Sequence, residues 1–228
     1  MRMLILGQGK TGRVVTEIAR ERGHSVQTLE EKENKDAGSL TAPSLASFDV
    51  VIDFTTPEAV VRNLRACLAN GAKVVVGTTG WYQHLEDMRE LAERKKAGLL
   101  YSTNFSFGIQ VLYQMAKLLG NEAGGYEFKI EETHHTEKLD SPSGTALTLK
   151  KVLAATPYGA SATIEAHRVK DAIGTHRLEV GTDNERIVVE HQALSRRSFA
   201  FGAVRGAEWL ATRSGCFDFQ DVFPQILA

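Results

Sequence analysis

The sequence predicts an α/β protein: a helix-wound parallel sheet, then a second α+β domain built on an open mixed sheet. Three observations carry that expectation. From residue 3 to about residue 104, short apolar runs alternate with helical patterns across short connections, the mark of a parallel sheet with right-handed crossovers. Beyond that point the chain turns to longer β-type segments with little helix between them. The stretch 199–223 reads as helix again and is expected to pack back on the first domain. Residues 1–104 with 205–228 then form one domain, and 105–204 the other.

Each element has its own reason. "MLIL" (3–6) is a short apolar strand that ends in "GQGKTG". "RVVTEIARERG" places Val14, Val15, Ile18 and Ala19 on one helical face, with Gly23 as its stop. "HSVQTL" (24–29) is a second strand, and 30–48 is polar with little pattern. "DVVIDF" (49–54) is a near-continuous β-branched run, suited to a strand covered on both faces. "TPEAVVRNLRACLANG" opens a helix with Thr56 as cap and Pro57 in the first turn. "KVVVGTTG" (73–80) is a buried strand ending in a glycine-threonine loop, followed by the charged helix "YQHLEDMRELAERKKAG" and a fifth strand, "LLYST". In the second domain, "IQVLYQMAKLLG" spaces apolar residues 109, 111, 112, 115, 118 and 119 as a helix does. Strands are expected in "YEFKIEETH", "TIEAHRV", "THRLEVG" and "ERIVVEHQAL", with one helix starting near Ser143.

Composition excludes whole classes of function. Basic and acidic residues number 27 and 28, so the net charge of -1 gives no positive field toward nucleic acid or membrane. No apolar run approaches a membrane span, and the one after Met1 is too short for a signal peptide. Cys67 and Cys216 lack CxxC spacing and read as small buried side chains in a reducing compartment. A cytoplasmic protein is expected.

Gly7, Gly9 and Gly12 fit GxGxxG directly between the first strand and the first helix. Gly7 permits the tight turn, Gly9 lets backbone approach a pyrophosphate, and Gly12 allows close helix–strand packing. The helix N-terminus, with Lys10 and Thr11, then offers N–H groups and partial positive charge to phosphates. A Rossmann-type, dinucleotide-binding domain follows. Its fingerprint expects an acid after the second strand, and Glu30 stands there, with Glu31 next. A solvated loop carboxylate is the competing reading of Glu30. Two carboxylates would repel a 2′-phosphate and favour NADH over NADPH, against which Lys32 and Lys35 stand close. Phe54 and Thr55 of "FTTPE", and Gly77, Thr78 and Thr79 of "GTTG", leave strand ends where such a sheet binds its ligand. They suit a nicotinamide ribose and carboxamide. Ser102, Asn104 and Phe105 after the fifth strand complete the candidate cofactor contacts.

"EETHHTEKLDSPSGTA" (131–146) admits several readings. As adjacent residues of a strand, His134 and His135 face opposite sides and cannot easily share a metal, and no CxxC or HExxH accompanies them. No metal is expected. Ser141 and Pro142 suit the cap and first turn of a helix, and free N–H groups of Ser143, Gly144 and Thr145 would form an anion site beside the Thr145 hydroxyl. Lys138 adds a full positive charge, and a histidine can act as general acid near neutral pH. The set favours binding of an anionic substrate with proton transfer, hydride coming from a reduced nicotinamide.

"GQGKTG", "VIDFTTPE", "GTTG", "STNFSFG", "HHTEKLDSPSGTA" and "SRRSFAFGAVRGAEWL" stand in the order seen in 4-hydroxy-tetrahydrodipicolinate (dihydrodipicolinate) reductases, which the whole chain resembles. The resemblance implies reduction of a cyclic dicarboxylate at C4 with loss of water, in lysine and diaminopimelate synthesis. It implies His134 as proton donor, Lys138 as second catalytic residue, and His135, Gly144 and Thr145 as substrate contacts. It also implies a homotetramer assembled through the second domain. Departures are the shortened 30–48 stretch, Glu31 where many members carry a basic residue, and Thr56 where some carry arginine. The competing readings are another two-domain dehydrogenase, acting on an amino acid or sugar, and a non-catalytic NAD-sensing regulator.

Overall fold

The computed structural model describes residues 1–138 and 140–227. The chain forms two compact units, Met1–Phe105 with Arg196–Ala228, and Ser106–Ser195.

In the first unit all strands run parallel: β1 (Arg2–Leu6), β2 (Ser25–Leu29), β3 (Val50–Asp53), β4 (Lys73–Val76), β5 (Gly98–Tyr101) and β10 (Gly215–Asp218). Their order is β10-β5-β4-β3-β1-β2. Helices α1 (Lys10–Glu21) and α7 (Arg197–Leu210) pack on each other, as do α3 (Pro57–Ala69) and α4 (Leu85–Lys95). Every residue of β3 is buried, as the β-branched run requires, whereas edge strand β2 is buried nowhere along its length. Leu6, Val51, Leu64, Leu68, Val76, Trp81 and Leu99 centre the core. After β2 the polar stretch makes two short 3₁₀ turns and the single-turn α2 (Ala42–Leu45), so the sheet ends at β2.

Two expectations need correction. The chain returns to the first unit at Arg196 and not at 205, because the whole of α7 packs against α1, β3, β4 and β5. The closing stretch is not all helix: "GCFD" is β10, paired with β5, before α8 (Phe219–Leu227). Cys216 lies on that strand and is only half-buried, while Cys67 is buried; both thiols are free.

The second unit holds α5 (Phe107–Glu122), β6 (Glu127–His134), α6 (Gly144–Ala154), β7 (Thr163–Arg168), β8 (Thr175–Gly181) and β9 (Arg186–Gln192). Its sheet runs β7-β6-β8-β9, with β6 parallel to β7 and antiparallel to β8. Strict alternation along β6 sends Phe128, Ile130, Glu132 and His134 inward. Phe128, Ile130, Leu178 and Val180 pack there with Ile109, Leu112, Leu149 and Leu153 of the two helices. The opposite face carries a charge ladder in which Lys129 bridges Glu131 and Glu165, each at 2.9 Å, and Arg177 bridges Glu131 and Glu179. The helical spacing read in α5 hides two faces, since Ile109 and Leu112 are buried while Val111, Met115 and Leu118 are exposed. Among the described residues no helix is long and apolar enough to cross a membrane.

Candidate active site

In a sheet of this kind the ligand crevice lies where strand order reverses, here between the ends of β1 and β3. A cavity of about 290 Å³ opens at that point, walled by Gly7, Gly9, Glu30, Phe54 and Thr55 among others. Gly7 has φ +87°, and a Cβ on it would lie 2.4 Å from the Phe54 carbonyl oxygen. A Cβ on Gly12 would lie 2.1 Å from the Gly7 carbonyl oxygen, so only glycine allows α1 to start so near β1. At Gly9 nothing stands within 4 Å of a Cβ position, which leaves the backbone open to a bulky anion. The first turn of α1 has no acidic side chain. That floor fits a pyrophosphate.

The remaining cofactor candidates divide. Lys10 and Thr11 form the first turn of α1. The Glu30 carboxylate caps the following turn by accepting from the Glu33 N–H, and pairs with Lys32 at 3.3 Å. Gly77 packs beneath Phe54, where a Cβ would meet the ring at 2.2 Å. The Thr78 hydroxyl donates to Asp53 at 3.0 Å, with half-buried Thr79 next to it. Ser102 closes a local turn with the Asn104 backbone. Phe105 is a core residue, buried with its ring edge to face against Phe219 at 4.8 Å. Arg13, Asn34 and Asn63 also wall the cavity, and no sequence motif singles them out. A buried asparagine on the apolar face of α3 is the available signal for Asn63.

In the second unit the inward face of β6 builds a different site. Glu132 is fully buried, and its Oε1 accepts from the Ser143 N–H at 2.9 Å and from both terminal nitrogens of Arg168 at 3.3 Å. Its Oε2 accepts from the Ser143 hydroxyl. Toward the same oxygen point His134 Nδ1 at 3.5 Å and His176 Nε2 at 3.7 Å, with the two rings edge to face at 5.0 Å. Register explains the meeting: β7 sets Arg168 opposite His134, and β8 sets His176 opposite Glu132. Burial holds His176 down to about 3. It pushes His134 down to about 4, with Lys138 and Arg168 adding to the shift and Glu132 opposing it. Both imidazoles are therefore neutral at pH 7. The other end of His134 faces Gly174, where a Cβ would press on Nε2 at 3.2 Å.

The chain leaves β6 in a turn closed by the Lys138 N–H on the His135 carbonyl. This swings Lys138 onto Asp140 at 2.7 Å. Burial pushes the Asp140 carboxyl up, but Lys138 and backbone donors, the Gly144 N–H among them, offset it and hold it below the usual range. Helix α6 starts near Ser143 as expected, but Ser143 and not Ser141 is its cap, accepting from the Ala146 N–H at 3.2 Å. Pro142 precedes the cap, after a cis bond. The expected free N–H groups are in use here, that of Ser143 by Glu132 and that of Gly144 by Asp140 at 3.3 Å. Thr145 is buried at the same helix end. His135 falls just past the end of β6, so strand alternation does not place it, whereas alternation and register gather Glu132, His134 and His176, whose ligand atoms lie within 4.8 Å. The Arg168 guanidinium and the two Ser143 donors already on the carboxylate oppose a cation there.

Comparison with known proteins agrees with both halves. Residues 1–105 match the family model described as dihydrodipicolinate reductase, N-terminus, and 108–223 the one described as dihydrodipicolinate reductase, C-terminus. The 4-hydroxy-tetrahydrodipicolinate reductase of Christiangramia forsetii is 32% identical over 242 residues, 99% of each chain. That of Chromohalobacter salexigens is 37% identical over 207 residues, 77% of this chain and 73% of its own. Among solved structures, a dipicolinate-bound dihydrodipicolinate reductase from Paenisporosarcina sp. TG-14 superposes with a TM-score of 0.76 at 24% identity, covering 97% of this chain and 99% of its own. An amine dehydrogenase from Mycobacterium smegmatis superposes at 0.67 with 11% identity, covering 95% and 94%, so the fold alone does not select the reaction. With both family models matched and a relative aligned end to end, the chain belongs to the dihydrodipicolinate reductase family.

Proposed function

We propose that the protein reduces 4-hydroxy-tetrahydrodipicolinate to tetrahydrodipicolinate, with loss of water, in lysine and diaminopimelate biosynthesis. A reduced nicotinamide dinucleotide, held on the glycine floor between β1 and β3, supplies the hydride. The observation that carries the substrate reading is the Asp140 carboxylate seated between Lys138 and the Gly144 N–H. A carboxylate already occupies that cradle, and a substrate carboxylate takes its place on binding. Gly144, Thr145 and His135 hold the dicarboxylate, with Ser143 fixed behind them by Glu132.

His134 is the proton donor. Glu132 Oε2 stands 3.5 Å from its Nδ1, too far for a settled hydrogen bond but on the side that favours a proton there, which leaves Nε2 for the reaction. Only glycine at 174 leaves Nε2 uncrowded. The free enzyme holds His134 neutral, so the incoming dianion must raise its affinity for a proton before it can donate one. Lys138 offsets the substrate charge as it develops.

Glu30 and Glu31 on the cavity wall favour NADH over NADPH. The homotetramer is assigned to the face of the second unit's sheet that its own helices leave uncovered. Oxidation of NADH and NADPH with enzymatically generated hydroxy-tetrahydrodipicolinate tests the whole reading. A higher kcat/KM with NADH is expected. A higher value with NADPH sinks the cofactor preference, and tight NADH binding without turnover would instead favour a sensor.

A further inference from the structure

We propose that Asp53, which does not wall the cofactor cavity, is a positioning residue that sets the hydrogen-bonding polarity of the crevice. The inference rests on the crevice being a nicotinamide-dinucleotide site. Asp53 ends β3 with no exposed surface and, among the described residues, no ion-pair partner. Burial raises its carboxyl above the usual range, against the pull of its hydrogen bonds. Such a group is costly to bury unless every acceptor site is used.

Both oxygens are used, by four donors from distinct segments. Oδ1 accepts from the Thr55 N–H at 2.9 Å, the Thr55 hydroxyl at 2.7 Å and the Thr78 hydroxyl at 3.0 Å. Oδ2 accepts from the Asn63 amide at 2.9 Å. Asn63 in turn accepts from the Asn34 amide at 3.0 Å, and Asn34 Oδ1 receives the Ser39 N–H at 3.3 Å. The loops that follow β2, β3 and β4 thus hang on one carboxylate. Thr55, Asn63 and Asn34 all wall the cavity that Asp53 does not reach.

The consequence is chemical as well as mechanical. An ionised carboxylate accepts and never donates, so the hydroxyl protons of Thr55 and Thr78 must both point at Asp53. Each hydroxyl oxygen then meets its surroundings as an acceptor. Among the described residues, Thr55 Oγ1 receives only a long 3.4 Å contact from Asn63. A lone pair is left toward the cavity, suited to a ribose hydroxyl or a carboxamide N–H. An amide nitrogen in place of Oδ1 would turn both threonine protons outward and face the Thr55 N–H donor to donor; in place of Oδ2 it would face the Asn63 amide donor to donor and disturb the Asn63–Asn34 link.

Asp53→Asn tests this because it keeps shape and replaces one acceptor oxygen with a donor. The affinity for NADH, followed by protein-to-nicotinamide fluorescence transfer, is expected to fall about tenfold, the equivalent of one lost hydrogen bond. KM for NADH should rise in step, while kcat at saturation and KM for the dicarboxylate stay within about twofold, as expected of lost binding alone. In a Thr55→Val background the same Asp53→Asn change should cost much less, since the hydroxyl it acts through is gone. Should Asp53→Asn fail to fold, Thr55→Val, which removes the hydroxyl Asp53 is proposed to orient and leaves the carboxylate in place, should show the same loss of NADH affinity, and unchanged affinity there overturns the assignment. Unchanged NADH affinity in a folded variant overturns the assignment, as does equal loss of dicarboxylate affinity and kcat. A wild-type protein that binds no nicotinamide dinucleotide overturns both this and the cofactor reading, whereas wild-type binding without turnover sinks only the proposed substrate.

Discussion

At the scale of single residues, His134 separates chemistry from binding. The proton donation proposed for it has no substitute among the described neighbours that are neutral or already ion-paired, namely His176, Arg168 and the Lys138–Asp140 pair. His134→Gln and Lys138→Ala are each expected to lower kcat by about 10²–10⁴-fold, the usual share of a general acid, while NADH binding survives. Near-normal kcat in both would remove the proton-transfer assignment. A second expectation follows from the low pKa of about 4 in the free protein. A dicarboxylate seated beside His134 favours its charged form, so binding of a dipicolinate-type analogue near pH 6 should take up a proton. Calorimetry in buffers of different ionisation enthalpy reads that uptake directly, and His134→Gln should abolish it. Buffer-independent binding heats in the wild type would mean that the imidazole does not gain its proton from this charge.

At the scale of elements, α6 shows what one helix start contributes. Thr145→Val keeps volume and deletes a buried hydroxyl at that N-terminus, and is expected to raise the dicarboxylate KM by about tenfold or more with little change in kcat. An unchanged KM would argue against the cradle. The helix itself is legible in "SPSGTALTLKKVL", as is the crevice in "GQGKTG", because capping and tight turns are local chemistry written in neighbouring residues. The start of α6 is harder to read because Ser141 and Ser143 are equally good caps in isolation. Glu132 decides between them from a strand that no local pattern connects to the helix. Long-range pairing hides the rest. Arg168 and His176 reach His134 only through the register of β7 and β8, and β10 is four residues whose partner lies more than a hundred positions earlier. The motif around Phe105 suggests a cofactor contact, whereas packing against Phe219 determines where its ring goes.

At the scale of the whole molecule, the buried imidazoles tie stability to pH. Burial lowers both His134 and His176 below the ordinary histidine value of 6.5. The unfolded chain therefore binds protons that the folded chain refuses between about pH 6.5 and the folded values. Stability is full above the upper limit and is lost as pH falls toward 4 and then 3, at a slope approaching about 1.4 kcal/mol per pH unit for each histidine that stays neutral. Asp140 and Glu208, both held below their usual ranges, add to the loss as the pH falls further. Asp53, shifted the other way, opposes it. Thermal melting from pH 7 to pH 4.5 should accordingly show a falling Tm, and His176→Asn should flatten that fall, since its side chain cannot titrate. The substitution also costs the contact with the Ser143 hydroxyl at 3.3 Å, which lowers Tm at every pH and leaves the slope untouched. The slope is thus the diagnostic quantity. A His176→Asn protein whose Tm falls as steeply as the wild type would place the acid sensitivity elsewhere, on the carboxylates. The neutral histidine pair would then no longer account for a stability cost at the proton donor proposed for the second unit.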